Sequence, residues 1–200
     1  SPNTLEEPNR RLKDVANCRP AAIWYAPQCF NWARMEKNSK SVETYLTRGR
    51  EPTFMEMLSV ALAMAMNDTT GFFFYSYFEM VECPVPEFRE QRWRDMVKIA
   101  KEFRALEPFL MSGEKKVEIA HADRKEASRV QLLTDGKGHR RVLVIGLYRD
   151  HETAFTLSAE YGRFRSRFGF TKPEGGAWVF RAKEFTCDIL EQDDALSGND

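Results

Sequence analysis

Two hundred residues with 42% hydrophobic and 12% aromatic content carry enough apolar material for one large domain or two small ones. The 30 basic and 30 acidic side chains cancel, so the balance asks for no nucleic acid partner. No apolar run reaches the about 18 residues that a membrane helix requires.

Taken in order, Ser1–Asn17 is polar, with Leu5, Leu12, Val15 and Ala16 on one side of a weak amphipathic helix. Ala21–Ala26 reads as a short buried strand that Pro27 ends. Gln28, Cys29, Phe30, Asn31 and Trp32 form an aromatic and amide-rich loop, and Ala33–Gly49 continues as a long polar connection. Thr53 then predicts an N-cap, with Glu56 completing a capping box and Pro52 sharpening the boundary. Phe54–Met66 is apolar nearly all round, the pattern of a helix held between layers. Asn67–Gly71 ends it. Phe72–Tyr77 is an unbroken aromatic run, expected as a strand covered on both faces.

Val81–Pro86 reads as a loop. From about Glu87 to Phe109, Phe88, Trp93, Met96, Val97, Ala100, Phe103 and Leu106 recur at threes and fours, predicting a long amphipathic helix. Strand, helix, strand, helix implies a parallel sheet with helices outside. After Gly113 the pattern changes to short segments rich in Val, Ile, Leu, Phe and Thr: Lys116–Ala120, Arg129–Leu133, Arg141–Tyr148, Thr153–Leu157, Ala177–Arg181 and Phe185–Leu190. Asp135–Gly138 and Pro173–Gly176 are turn signals between them. The expected organisation is α/β over residues 1–113, a small antiparallel β-sandwich over 114–192 and a polar tail over 193–200.

Several chemistries lack their motifs. Cys18, Cys29, Cys83 and Cys187 have neither CxxC spacing nor a nearby His, so they read as free thiols rather than zinc ligands. No GxGxxG, GxxxxGK[ST] or GxSxG occurs. His121, His139 and His151 have no i, i+4 partner and read as surface residues. Arg163, Arg165 and Arg167 read as a solvated strand face. No cofactor or metal is expected.

In parallel α/β architectures the ligand sits at the carboxyl ends of the strands. Those ends carry Gln28, Phe30, Asn31 and Trp32, then Tyr75, Tyr77 and Glu79. Aromatic faces beside amide and hydroxyl groups suit sugar rings. Glycoside hydrolysis needs two carboxyls across the bond, and only Glu79 stands at an expected strand end. Glu36, Glu43 and Glu51 read as solvated charges.

Ile23–Trp32, Arg50-Glu51-Pro52-Thr53 with Glu56-Met57, and Gly71–Tyr77 together resemble the last quarter of a glycoside-hydrolase-type (β/α)₈ barrel, similar to bacterial β-galactosidase-like proteins. The resemblance covers most of the chain, with Trp93 on the last helix and Lys116–Leu190 as the closing β-sandwich. It implies that the two strands are the seventh and eighth of a barrel whose other strands lie upstream of Ser1. It also implies an oligo- or polysaccharide substrate, and a secreted or periplasmic parent if that parent degrades polysaccharide. The largest barrel clan carries a nucleophilic Glu at the end of the seventh strand, where this chain has Gln28. The catalytic pair then lies on upstream strands, or the parent belongs to another clan, or it is a non-catalytic carbohydrate-binding or structural protein.

Overall fold

The computed structural model describes residues 24–27, 29, 41–47, 50–69, 71–75, 77–121, 127–147, 151–182 and 185–193. The amphipathic stretch Ser1–Asn17, Cys18, Glu36 and most of the polar tail lie outside the described residues.

Strands β1 (Trp24–Tyr25) and β2 (Gly71–Phe72) pair in parallel, Trp24 opposite Gly71 and Tyr25 opposite Phe72. Backbone bonds carry the pairing further: the Phe73 amide donates to the Tyr25 carbonyl (3.0 Å), Tyr75 to Pro27 (2.8 Å) and Cys29 to Tyr75 (2.9 Å). The parallel arrangement expected from the alternation is therefore present.

Between these strands lie α1 (Val42–Thr47) and α2 (Phe54–Met66). α1 falls inside the stretch expected to be a loop; Tyr45 is its buried anchor, at 1% exposure. The α2 N-terminus has the predicted capping box: the Glu56 amide donates to Thr53 Oγ1 and the Thr53 amide to Glu56 Oε2. Two short steps follow β2, α3 (Tyr77–Val81) and then α4 (Pro86–Leu110), which has Pro86 at its first turn.

The aromatic run is not a six-residue strand covered on both faces. Regular pairing covers Gly71–Phe72, a bridge forms at Tyr75, and Tyr77 already begins α3. Its alternation is one-sided. Phe72 stacks edge-on against Phe74 (5.7 Å) and against Phe103 of α4 (4.7 Å), while Phe73 and Tyr75 are half exposed. Among the described residues, helices cover one face of the pair.

The second half forms two antiparallel sheets. β3 (Val117–Glu118), β4 (Ser128–Thr134), β5 (Arg140–Gly146), β6 (His151–Phe155), β7 (Phe164–Ser166), β8 (Thr171–Glu174), β9 (Ala177–Ala182) and β10 (Cys187–Gln192) order as β3-β4-β5-β10-β7 and β6-β9-β8. Each of the six expected segments contributes a strand; β7 and β8 are additional. Asp135–Gly138 turns β4 into β5, with Asp135 Oδ1 accepting from the amides of Lys137 and His139. Gly175 and Gly176 turn β8 into β9 at φ values of 57° and 85°, which L side chains adopt poorly. Pro173 is tolerated because β8 is an edge strand.

The five-stranded sheet is covered on both faces. Val130, Leu132, Val142, Val144 and Leu190 meet Phe155 and Phe180 of the smaller sheet. Leu133, Leu143, Ile145, Cys187 and Ile189 meet Met57, Leu58, Leu62 and Met66 of α2 together with Ile99, Leu106 and Phe109 of α4. The result is a mixed α/β architecture with α2 and α4 packed together on one face of the five-stranded sheet. The β module thus packs on α2 as well as on the last helix. Ser59 Oγ donates to the Phe185 carbonyl (2.5 Å), Lys116 Nζ to the Ala65 carbonyl (2.8 Å), and Arg167 pairs with Glu102 (2.6 Å).

Two histidines expected at the surface are not there. His121 and His151 are half-buried and converge on the wholly buried Ser128. His151 Nε2 lies 2.6 Å from Ser128 Oγ, which also meets Thr153 Oγ1 at 2.7 Å; His121 Nε2 lies 3.2 Å from the Ser128 carbonyl. Strand pairing brings them together across sheets, which spacing along the chain does not reveal. His139, by contrast, is exposed and bonded to Asp135 (2.8 Å).

Candidate functional site

The carboxyl ends of β1 and β2 are the natural place to look. One aromatic face leads to them. Trp24 (63% exposed), Phe73 (56%) and Tyr75 (50%) stand on the side of the pair away from the helices, and Tyr77 (62%) follows on α3. Gly71 shapes this face: a Cβ there would come within 2.8 Å of the Trp24 ring, which lies over the glycine. Of the expected site residues, Tyr75 lies three residues beyond β2 at an isolated bridge and Tyr77 opens α3, both exposed. Gln28, Phe30, Asn31 and Trp32 lie outside the described residues. Glu79 lies within α3 and not at a strand end, because the chain has already turned helical at Tyr77.

Behind this end a buried polar network fixes the geometry. The Arg92 guanidinium, 2% exposed, forms an ion pair with Glu51 and donates to Tyr45 Oη (3.2 Å). Tyr45 Oη in turn donates to Glu51 Oε1 and accepts from Cys83 Sγ (3.2 Å). Burial, with help from the Cys83 contact and against the nearby Arg92 charge, pushes the Tyr45 hydroxyl up to about 12. Cys29 Sγ donates to the Tyr75 carbonyl (3.4 Å), and burial raises its thiol to about 11 despite Arg92. This network ties α1, the entry to α2, the end of α3 and α4 to one point. Glu51 is therefore a structural partner and not the solvated charge its sequence context suggested; Glu43 is exposed as expected.

Arg92 was missed by sequence reasoning, although a signal existed. It occupies the inward phase of α4, four residues after Phe88 and seven before Ile99, where a charge is out of place unless paired. Trp93, read as core, faces solvent at 53% exposure. Between α3 and α4 lies a cavity of about 380 Å³ lined by Tyr77, Met80, Val81, Arg89, Glu90, Trp93 and Arg94.

Chemically, the described residues offer stacking faces and a phenol hydroxyl at the strand ends. The carboxylate nearest in this network, Glu51, has its oxygens engaged by Tyr45 and Arg92. Among the described residues no group of three or more His, Cys, Asp or Glu is placed to hold a metal, and no helix is long and apolar enough to cross a membrane. Cys29, Cys83 and Cys187 are free and buried. Arg165 and Arg167 pair with Glu191, each at 3.0 Å, as a strand face does.

No family model matches the chain, and no curated protein matches it. Among solved structures it is similar to Abp, a GH27 β-L-arabinopyranosidase from Geobacillus stearothermophilus, at 9% identity and a TM-score of 0.45 over 98% of this chain. It is also similar to a variant of AmyP in complex with maltotriose, at 13% identity and a TM-score of 0.43 over 76% of this chain. The chain spans 42% and 36% of the lengths of those two proteins.

Proposed function

We propose that this chain is the closing part of a carbohydrate-active (β/α)₈ protein, in which β1 and β2 are the last two barrel strands and the two antiparallel sheets its terminal β-sandwich. The observation that carries the reading is the exposed aromatic face of the parallel pair, Trp24, Phe73 and Tyr75, running to Tyr77 at its carboxyl end. Parallel strands are ordinarily covered on both faces, so a face of rings opposite the helix layer belongs to an interior. Rings at the carboxyl end suit the C–H faces of a sugar. On this reading the ligand is an oligo- or polysaccharide, Trp32, Tyr75 and Tyr77 are its stacking walls, Gln28 and Asn31 bind its hydroxyls, and Phe30 lies with them on the same loop. Hydrolysis would use paired carboxylates supplied by upstream strands, without a cofactor.

The test is saccharide binding by the longer polypeptide, measured by calorimetric titration across a panel of oligosaccharides. Tyr75→Ala and Tyr77→Ala should each weaken binding by about tenfold, the worth of a stacking ring at roughly 1–1.5 kcal/mol. Unchanged affinity in both would overturn the assignment. Binding without turnover would favour a non-catalytic carbohydrate-binding protein, which Gln28 at the seventh-strand position already suits.

A further inference from the structure

Trp93 stands exposed in the most charged stretch of α4, with Arg89, Glu90 and Arg92 before it and Arg94 and Asp95 after it. A single ring at a surface is ordinary, but this one is not alone. Tyr77, also exposed, lines the same cavity from α3. Phe78 meets Tyr77 edge-on at 6.2 Å and braces its ring. Buried Met80, with Val81 beside it, gives the cavity an apolar lining between the two rings. Its volume of about 380 Å³ lies at the small end of the about 300–1,000 Å³ typical of ligand sites, room for one ring rather than a chain.

The rim of this cavity is charged and unbalanced. Arg89, Glu90 and Arg94 border it, two positive groups against one negative. Arg94 pairs with Glu90 (3.6 Å) and donates to Gln91 Oε1 (3.1 Å). Arg89 Nη1 donates to the carbonyl of Val81 (3.0 Å), the last residue of α3. That bond to a neutral acceptor anchors the guanidinium at the cavity and leaves its charge uncompensated among the described residues. A planar guanidinium offers paired N–H groups that match the oxygens of a carboxylate or a sulfate.

The geometry points to the Tyr77–Trp93 cavity as a subsite for an acidic sugar unit, its ring against the two aromatic side chains and its carboxylate or sulfate on Arg89. The inference rests on the carbohydrate reading above and adds the charge class of the ligand. Tyr77 belongs to both places, so a saccharide stacked on Tyr75 and Tyr77 has its next unit within reach of the cavity. Rings and apolar lining take the C–H face of the sugar. The excess positive charge selects an anionic substituent over a hydroxyl. Glu90 opposes that selection, and its pairing with Arg94 limits the opposition.

The test is calorimetric titration of the 200-residue chain, which supplies every residue lining the cavity, with three trimers: galacturonic acid, sulfated galactose and neutral galactose. One or both acidic trimers should bind about tenfold more tightly than the neutral one, and the tighter of the two names the anionic group. Arg89→Gln should remove that preference and leave neutral binding unchanged, whereas Glu90→Gln should enlarge it. In the unsubstituted chain, raising salt from about 0.05 M to about 0.5 M should weaken the acidic trimers selectively, a readout that does not depend on a variant folding well. Equal affinity for acidic and neutral trimers overturns the inference, as does a preference that Arg89→Gln leaves intact or the absence of any binding. A dimer of the chain that Trp93→Ala dissociates would assign the face to a second copy, and also overturns it. The carbohydrate reading is decided separately by Tyr75→Ala, since Tyr75 lies outside the cavity.

Discussion

Thr53 and Glu56 satisfy each other's backbone amides at the start of α2, and Arg50 holds the Glu56 carboxylate from outside (2.7 Å). Thr53→Ala should cost about 1 kcal/mol in chemical denaturation, the usual worth of an N-cap. Burial alone would raise the Glu56 carboxyl, but the Arg50 guanidinium and the Thr53 amide outweigh it and hold the group below its ordinary 4.5. A carboxyl depressed in the folded state stabilises above its unfolded value and loses that contribution as pH falls through the folded one. Glu56→Gln should therefore be less stable than the parent at pH 7, with the gap closing as pH drops below 4.5. A constant gap across that range would deny the carboxylate its role. The box was legible because it is local, four residues long and set by residue type. The Arg92–Tyr45–Glu51 network was not, because its members lie up to 47 positions apart and only tertiary packing joins them. Asp188 repeats the lesson: wholly buried, it accepts from Ser166 Oγ and from the amides of Phe168, Thr171 and Ile189, organising the β7–β8 connection that sequence patterning overlooked.

Elements were legible where periodicity and burial agree. α2 is apolar all round and touches core on nearly every side, so its pattern leaves one answer. The β segments carried their own turn chemistry at Asp135–Gly138 and Gly175–Gly176. α4 was legible as a helix but not in its rotation. Two apolar lines compete on it, and the helix turns Ile99 and Leu106 inward while Trp93 and Val97 face out. Denaturation of paired variants checks that rotation. Ile99→Ala should cost about 2–5 kcal/mol as a fully buried truncation, and Val97→Ala well under about 1 kcal/mol. Comparable losses would place both lines in the core. The aromatic run misled for a related reason: an unbroken apolar sequence looks the same whether both faces are covered or only one is. The exposure of Phe73 and Tyr75 against the partial burial of Phe72 and Phe74 decides it, and that alternation is invisible when every residue is aromatic.

At the scale of the molecule, α2 belongs to both halves at once. Its Met57, Leu58, Leu62 and Met66 share a core with α4 and with the inner face of the five-stranded sheet. Polar ties cross the same seam at Ser59, Lys116 and Arg167. Small domains sharing one core melt together. Scanning calorimetry should accordingly give one peak whose van't Hoff and calorimetric enthalpies agree, whereas two resolved peaks would mean that the helices and the sheets are separate cooperative units. The covalent link between the halves, from Met111 to Lys116, is short and without regular structure. Since the seam holds through α2 and not through this link, a protease that cuts there should leave a nicked particle that still elutes as one species and separates only in denaturant.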